Sequence, residues 1–179
     1  MLKTLRVILG GFFSLTLLLL LIGYFLSNEY DFSRAAVLDV RCEETFEYVN
    51  DVQNLGEFIP WLQKDATIRF DYTSPSEGVG ARVRWTSQES ANGSFTITAS
   101  EAPSKIVGEL DFFDLGKSEG YLLLETEGEA CAVRFGFRGK VSAPRPLASW
   151  FSTLLPFFVA PELERALNEL EAILKEKES

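Results

Sequence analysis

From Val7 to Leu26 the chain reads VILGGFFSLTLLLLLIGYFL, without one charged residue. At a rise of about 1.5 Å per residue, such a run reaches roughly 30 Å as a helix, the thickness of a bilayer's hydrocarbon core. No water satisfies the backbone there, so a single span has to be helical. Lys3 and Arg6 precede the run, and Glu29 and Asp31 follow it. The positive-inside rule then predicts a single-pass membrane protein with a cytoplasmic N-terminus. The rest of the chain is extracytoplasmic, which means periplasmic in a Gram-negative bacterium. A cleaved signal peptide is the competing expectation, but its apolar stretch is about 7–15 residues and ends at a small-x-small site. This run is longer, and Phe25-Leu26-Ser27-Asn28 offers no such site. Residues 1–27 are therefore read as a transmembrane signal anchor, 28–34 as a polar linker and 35–179 as one folded domain. Gly10-Gly11 and Gly23 lack the spacing of a helix-dimer motif.

Composition narrows the function classes. A formal charge of -9 gives none of the basic footprint that a nucleic-acid partner requires. Histidine is absent, which removes the commonest general acid-base group and the commonest zinc ligand. Cys42 and Cys131 alone cannot build a zinc site. No metal and no cofactor is expected. Gly78-x-Gly80 precedes a strand pattern rather than a helix, so it does not read as a dinucleotide loop.

Periodicity gives the element order. Val37 to Cys42 alternates, with Leu38, Val40 and Cys42 on one face, as a half-buried strand requires. Glu43–Val49 has helical spacing, and Asp51–Phe58 reads as a second short helix ended at Ile59-Pro60-Trp61. Strands are predicted over 66–72, 81–86, 95–99, 106–112, 121–126 and 131–141. Asn92-Gly93 lies between two of them and reads as a hairpin turn; Asn92-Gly93-Ser94 also fits a glycosylation acceptor. Helical patterns follow over 147–155 and 161–177, with Pro156 and Pro161 expected to kink or interrupt the first. Leu163, Leu167, Leu170 and Leu174 form one apolar stripe on the second.

The order strand, two short helices, six strands, long helix resembles the START-like helix-grip superfamily (SRPBCC), of the polyketide cyclase/dehydrase and lipid-transport type. The resemblance spans about Ala35 to Lys177. It rests on the strand Val37-Leu38-Asp39-Val40-Arg41-Cys42 before Glu43-Glu44-Thr45-Phe46-Glu47-Tyr48-Val49. Asp51-Val52, Pro60-Trp61, the Gly78-Val79-Gly80-Ala81 turn before the strand holding Trp85, and Leu163 to Leu170 of the terminal helix complete it. The implied fold class is α+β: a curved antiparallel sheet of about seven strands (β-α-α-β6-α) around a long C-terminal helix, here preceded by one transmembrane helix. Members bind lipids, sterols, polyketides or other apolar molecules in a cavity between sheet and helix, and a minority act on them as enzymes. The anchor departs from the usual soluble form, and no set of catalytic residues carries across.

In this fold the first and last strands are antiparallel neighbours. The resemblance therefore places Cys42 opposite Cys131, residue 40 opposite 133 and 38 opposite 135. The two cysteines either form a disulfide, allowed outside the cytoplasm and worth roughly 2–4 kcal/mol, or stay as buried reduced thiols. The cavity candidates are Trp61, Tyr72, Trp85, Phe112, Leu122, Leu124, Phe135, Trp150, Leu154 and Phe158, each of which also serves as ordinary core. Leu154-Leu155-Pro156-Phe157-Phe158-Val159 is too apolar for an amphipathic face. It reads either as a buried helix start or as an exposed lip at the cavity mouth, touching the bilayer with Arg145 and Lys140 near headgroups.

The carboxylate pairs Asp111/Asp114 and Glu125/Glu127 read as solvated surface charge, and Tyr72 stays open as a general acid in the pocket. Three functions follow. The first is a membrane-tethered module that binds, carries or senses a hydrophobic small molecule or lipid, with the bilayer as partner. The second is a cyclase- or dehydratase-type enzyme on an apolar substrate. The third is a partner-binding envelope protein with a filled core. Missing histidine and the tether favour the first.

Overall fold

Alternating apolar residues can bury one face only by pairing into a sheet that another element covers. In the computed structural model, which describes residues 2–113 and 116–178, the chain does this as follows. α1 spans Leu2–Phe25, β1 Glu29–Leu38 and α2 Cys42–Asn50. A 3-10 turn at Val52–Asn54 leads into α3 (Leu55–Phe58) and α4 (Pro60–Gln63). Then come β2 Arg69–Tyr72, β3 Arg82–Thr86, β4 Gly93–Glu101, β5 Lys105–Asp111, β6 Lys117–Glu127, β7 Ala130–Lys140 and α5 Leu147–Glu178. The strands form one antiparallel sheet in the order β1-β7-β6-β5-β4-β3-β2. It curves around α5 in the expected α+β helix-grip arrangement, with a register irregularity between Ile97 and Ala99 where β4 bends.

The core lies between the concave face and α5. Leu163, Leu167, Leu170 and Leu174 are at most 5% exposed, each contributing about 2 kcal/mol by leaving water. They pack with Val83, Trp85, Ile97, Ile106, Leu124 and Val133. Gly78 and Gly80 take φ of 72° and 93° in the turn before β3, a conformation costly for any residue with a Cβ.

Several expectations need correction. Residues 28–34 are no linker: Glu29 onward is β1, paired with β7 from Glu29↔Lys140 to Leu38↔Cys131. The charges on Glu29 and Asp31 face outward, while Tyr30 and Phe32 pack on the core. β1 stops at Leu38, so the strand over Val37–Cys42 is not formed: Asp39 and Val40 bend, and Cys42 opens α2. The register is also shifted by four residues, with Leu38, not Cys42, opposite Cys131.

The second short helix is a 3-10 turn plus α3, and Pro60 does not end helix but starts α4 at its first position, where its missing N–H costs nothing. β2 begins only at Arg69. Asn92-Gly93 is not a two-residue turn. The β3–β4 loop runs over 87–92, closed by Ser87 N donating to Asn92 Oδ1 at 2.8 Å, and Gly93 is the first residue of β4. Trp85 explains that glycine, since a Cβ there would stand 2.9 Å from the indole Cε2. Pro156 and Pro161 do not interrupt the last helix, which runs unbroken over Leu147–Glu178. Each forfeits one backbone hydrogen bond, while the leucine stripe holds the helix on the sheet.

α1 is long and apolar enough over Arg6–Phe25 to cross a membrane, a length and composition that anchors and signal sequences share.

Candidate functional site

Two adjacent spaces lie between the sheet and the helices. The inner one holds about 40 Å³ and is lined by Phe58, Trp85, Phe95, Ile106, Leu122 and Phe135, among others. The outer groove holds about 280 Å³ between β1, β5 and α5, lined by Phe32, Phe112, Leu155, Phe158 and Val159. Trp61, Leu110 and Phe137 line both and so form the partition. The Trp61 and Phe137 ring centroids are 6.3 Å apart, and Phe135 and Phe137 5.3 Å. α4 positions Trp61, and the alternation of β7 positions Phe135 and Phe137.

The hydroxyl and carboxylate groups at the groove are already engaged. Tyr30 Oη and Ser118 Oγ share a hydrogen bond of 2.5 Å. The Glu162 carboxylate pairs with Lys64 at 3.1 Å and Arg165 at 2.7 Å. The walls can exclude water and hold an apolar molecule, with Lys64, Arg165 and Glu162 as a charged rim.

The expected cavity residues divide. Trp61, Trp85, Phe112, Leu122, Phe135 and Phe158 line one space or the other. Trp85 also fixes its loop by donating from Nε1 to Ala91 O at 3.1 Å. Leu124 is core and borders neither space. Tyr72 lies on the edge strand β2, 38% exposed and stacked on Phe70 at 6.0 Å. Burial of part of its ring, then the Asp51 and Glu57 carboxylates, push its hydroxyl above the ordinary value, and it lines neither of the two spaces.

Leu154 is 46% exposed on α5. Trp150 faces α1, its Nε1 donating to Leu19 O at 3.0 Å. Beside it Arg145 donates to Tyr24 O at 3.2 Å and Ser152 Oγ to Ser27 O at 2.8 Å. In the Leu154–Val159 run Leu154, Phe157 (75%) and Phe158 (74%) are exposed, while Leu155, Pro156 and Val159 are half-buried. Tyr30, Phe32, Leu110 and Phe137 are site residues that sequence reasoning left out. The first two were hidden in the assumed linker, although Tyr30 and Phe32 alternate with Asp31 and Ser33 as strand residues do.

Cys42 and Cys131 are joined by a disulfide with Cα atoms 4.9 Å apart. The first turn of α2 carries Cys42 back over the start of β7, which a straight strand would not do. Glu125 and Glu127 are both exposed on β6. Asp111 meets Lys117 at 3.7 Å, and Asp114 lies outside the described residues. Asn92 is exposed, its side chain capping the loop. Among the described residues no cluster of three His, Cys, Asp or Glu side chains could hold a metal.

No family model and no curated protein matches this chain. Solved structures do. Norcoclaurine synthase of Thalictrum flavum, in complex with dopamine and hydroxybenzaldehyde, superposes with a TM-score of 0.64 at 12% identity, covering 88% of this chain and 93% of that one. TTHA0849 of Thermus thermophilus gives 0.61 at 16%, covering 84% and 99%. CV1439 of Chromobacterium violaceum gives 0.57 at 13%, covering 81% and 97%. At such identities the likeness speaks to fold alone: this chain carries the helix-grip fold.

Proposed function

We propose that the protein is a membrane-tethered module that binds a hydrophobic small molecule or lipid tail in the groove between β1, β5 and α5. The observation that carries this reading is the groove itself, about 280 Å³ with an almost wholly apolar lining and its hydroxyl and carboxylate groups already paired. Binding pockets are commonly of this kind, mostly apolar with few polar groups, and start at about 300 Å³. α1 supplies the tether, with Lys3 and Arg6 on its cytoplasmic side and the folded domain beyond the membrane. A fold shared with a protein solved with two small aromatic molecules supports the ligand reading.

Binding is favoured over catalysis because, among the described residues, the ionisable groups lining the groove, Tyr30 and Glu162, are already engaged by Ser118 and by Lys64 and Arg165. The partner-binding alternative draws support from the inner space, which at about 40 Å³ is nearly filled. The test is uptake of a polarity-sensitive apolar fluorophore by the full-length protein in micelles. Saturable binding that a lipid extract displaces, and that L110W abolishes by filling the groove, is the expected result. Uptake that L110W leaves unchanged would place the probe elsewhere and remove the groove from the account.

A further inference from the structure

From Pro146 to Pro161 the chain has no charged residue, yet this first half of α5 leaves large apolar groups in the open. Leu147 is 66% exposed, Phe151 58%, Leu154 46%, and Phe157 and Phe158 about three-quarters. A helix face of this kind needs a cover. Its neighbour identifies the cover. α5 begins against the C-terminal turns of α1, where Gly23 is buried: a Cβ on Gly23 would come 2.7 Å from Pro146 Cβ.

Three donors meet α1 and the link after it: Arg145, just before this stretch, to Tyr24 O, and Trp150 and Ser152 within it to Leu19 O and Ser27 O. The Tyr24 carbonyl lies in the last turn of α1, where carbonyls lack intrahelical partners, and in hydrocarbon it has no water to replace them. Side-chain donors at this place are what a junction inside a bilayer edge requires. Leu19 to Phe25 rises roughly 9 Å, so the Trp150 indole reaches about that far along the span.

We propose that the first half of α5 lies in the lipid leaflet at the C-terminal end of α1, with acyl chains covering Leu147, Phe151, Leu154, Phe157 and Phe158. The inference rests on the reading that α1 spans a bilayer. It makes α5 an interfacial helix on one half and a core helix on the other. It also turns the groove mouth at Leu155, Phe158 and Val159 toward the acyl region, so that an apolar tail passes from leaflet to groove without crossing water.

Spin labels on single introduced cysteines of the full-length protein in phosphatidylcholine vesicles test this, since Cys42 and Cys131 are bonded to each other and do not take the label. Sites are L17C in α1, F151C and F157C in α5, and V79C, which is 62% exposed in the turn next to Asn50. Collision with oxygen relative to a water-soluble nickel chelate is expected to be several-fold higher at 17, 151 and 157 than at 79. Membrane-like values at 17 with water-like values at 151 and 157 overturn the α5 inference and leave the tether intact. Water-like values at 17 overturn both. Low collision with both reagents and spin-spin broadening at 157 would mean a second copy covers the face, which also overturns it. As a label-free check, brominated acyl chains should quench wild-type tryptophan emission more than that of W150F; equal quenching counts against the proposal.

Discussion

Removing the disulfide gives a loss of stability whose size the structure sets. Cys42 and Cys131 are 89 residues apart, and cross-linking a loop of that length removes chain entropy worth about 4.6 kcal/mol at 25 °C from the unfolded state. In the native state little should change in C42A/C131A. β1 and β7 keep their ladder from Glu29↔Lys140 to Leu38↔Cys131, and α2 still packs through Phe46 and Val49. Both sulfurs are buried, at 1% and 0% residue exposure, so the two lost atoms add about 1 kcal/mol of packing. The expected total is about 4–6 kcal/mol, read by guanidinium unfolding of full-length protein in micelles with tryptophan emission as the probe. Because the entropy term lives in the unfolded chain, the denaturant slope should rise as that chain expands. A loss under about 1 kcal/mol with an unchanged slope would refute the reasoning, as would two reactive thiols in denatured, unreduced wild type.

Three further predictions follow from the sheet and groove. G108A should destabilise by about 1–3 kcal/mol, because a Cβ there stands 2.8 Å from the Thr96 carbonyl oxygen of the neighbouring strand; an unfolding midpoint equal to wild type would contradict that. W61A should join the inner space to the groove and shift uptake toward longer apolar tails, measured by displacement across a chain-length series; an unchanged length profile would mean Trp61 is no partition. Asp65 accepts from Ser87, Ser90 and Thr67, which hold its carboxyl well below the usual carboxylate range. A depressed folded pKa gives stability that is present above the unfolded value of about 4 and is lost as pH falls toward the folded one. The stability gap between wild type and D65N should therefore be full at neutral pH and narrow below about pH 4; a gap independent of pH would contradict it.

Long-period signals were legible in the sequence, and local geometry was not. The uncharged run of α1, the alternation of β3 to β7 and the leucine stripe of α5 each repeat over many residues, so one misleading position cannot erase them. β1 was missed at its start because Glu29, Asp31 and Ser33 look like linker, although the residues between them are Tyr30 and Phe32. The Cys42 register failed because no strand pattern reveals that the chain bends at Asp39 and Val40. Tyr72 was named as a cavity candidate at the end of a predicted strand, but a strand pattern does not say that β2 is an edge strand. Trp150 and Leu154 were assigned to the cavity as part of a helix expected to lie on the sheet. The start of that helix instead packs on α1 through Trp150 and leaves Leu154 exposed, a tertiary contact no periodicity carries.

Whether the groove holds an apolar molecule is tested most directly by native mass spectrometry of the full-length protein extracted gently from its membrane. The account predicts a co-purifying apolar mass that is lost on denaturation and absent from L110W. A bare protein mass from wild type, with no uptake from a lipid mixture, would contradict it and favour the partner-binding alternative with a filled core.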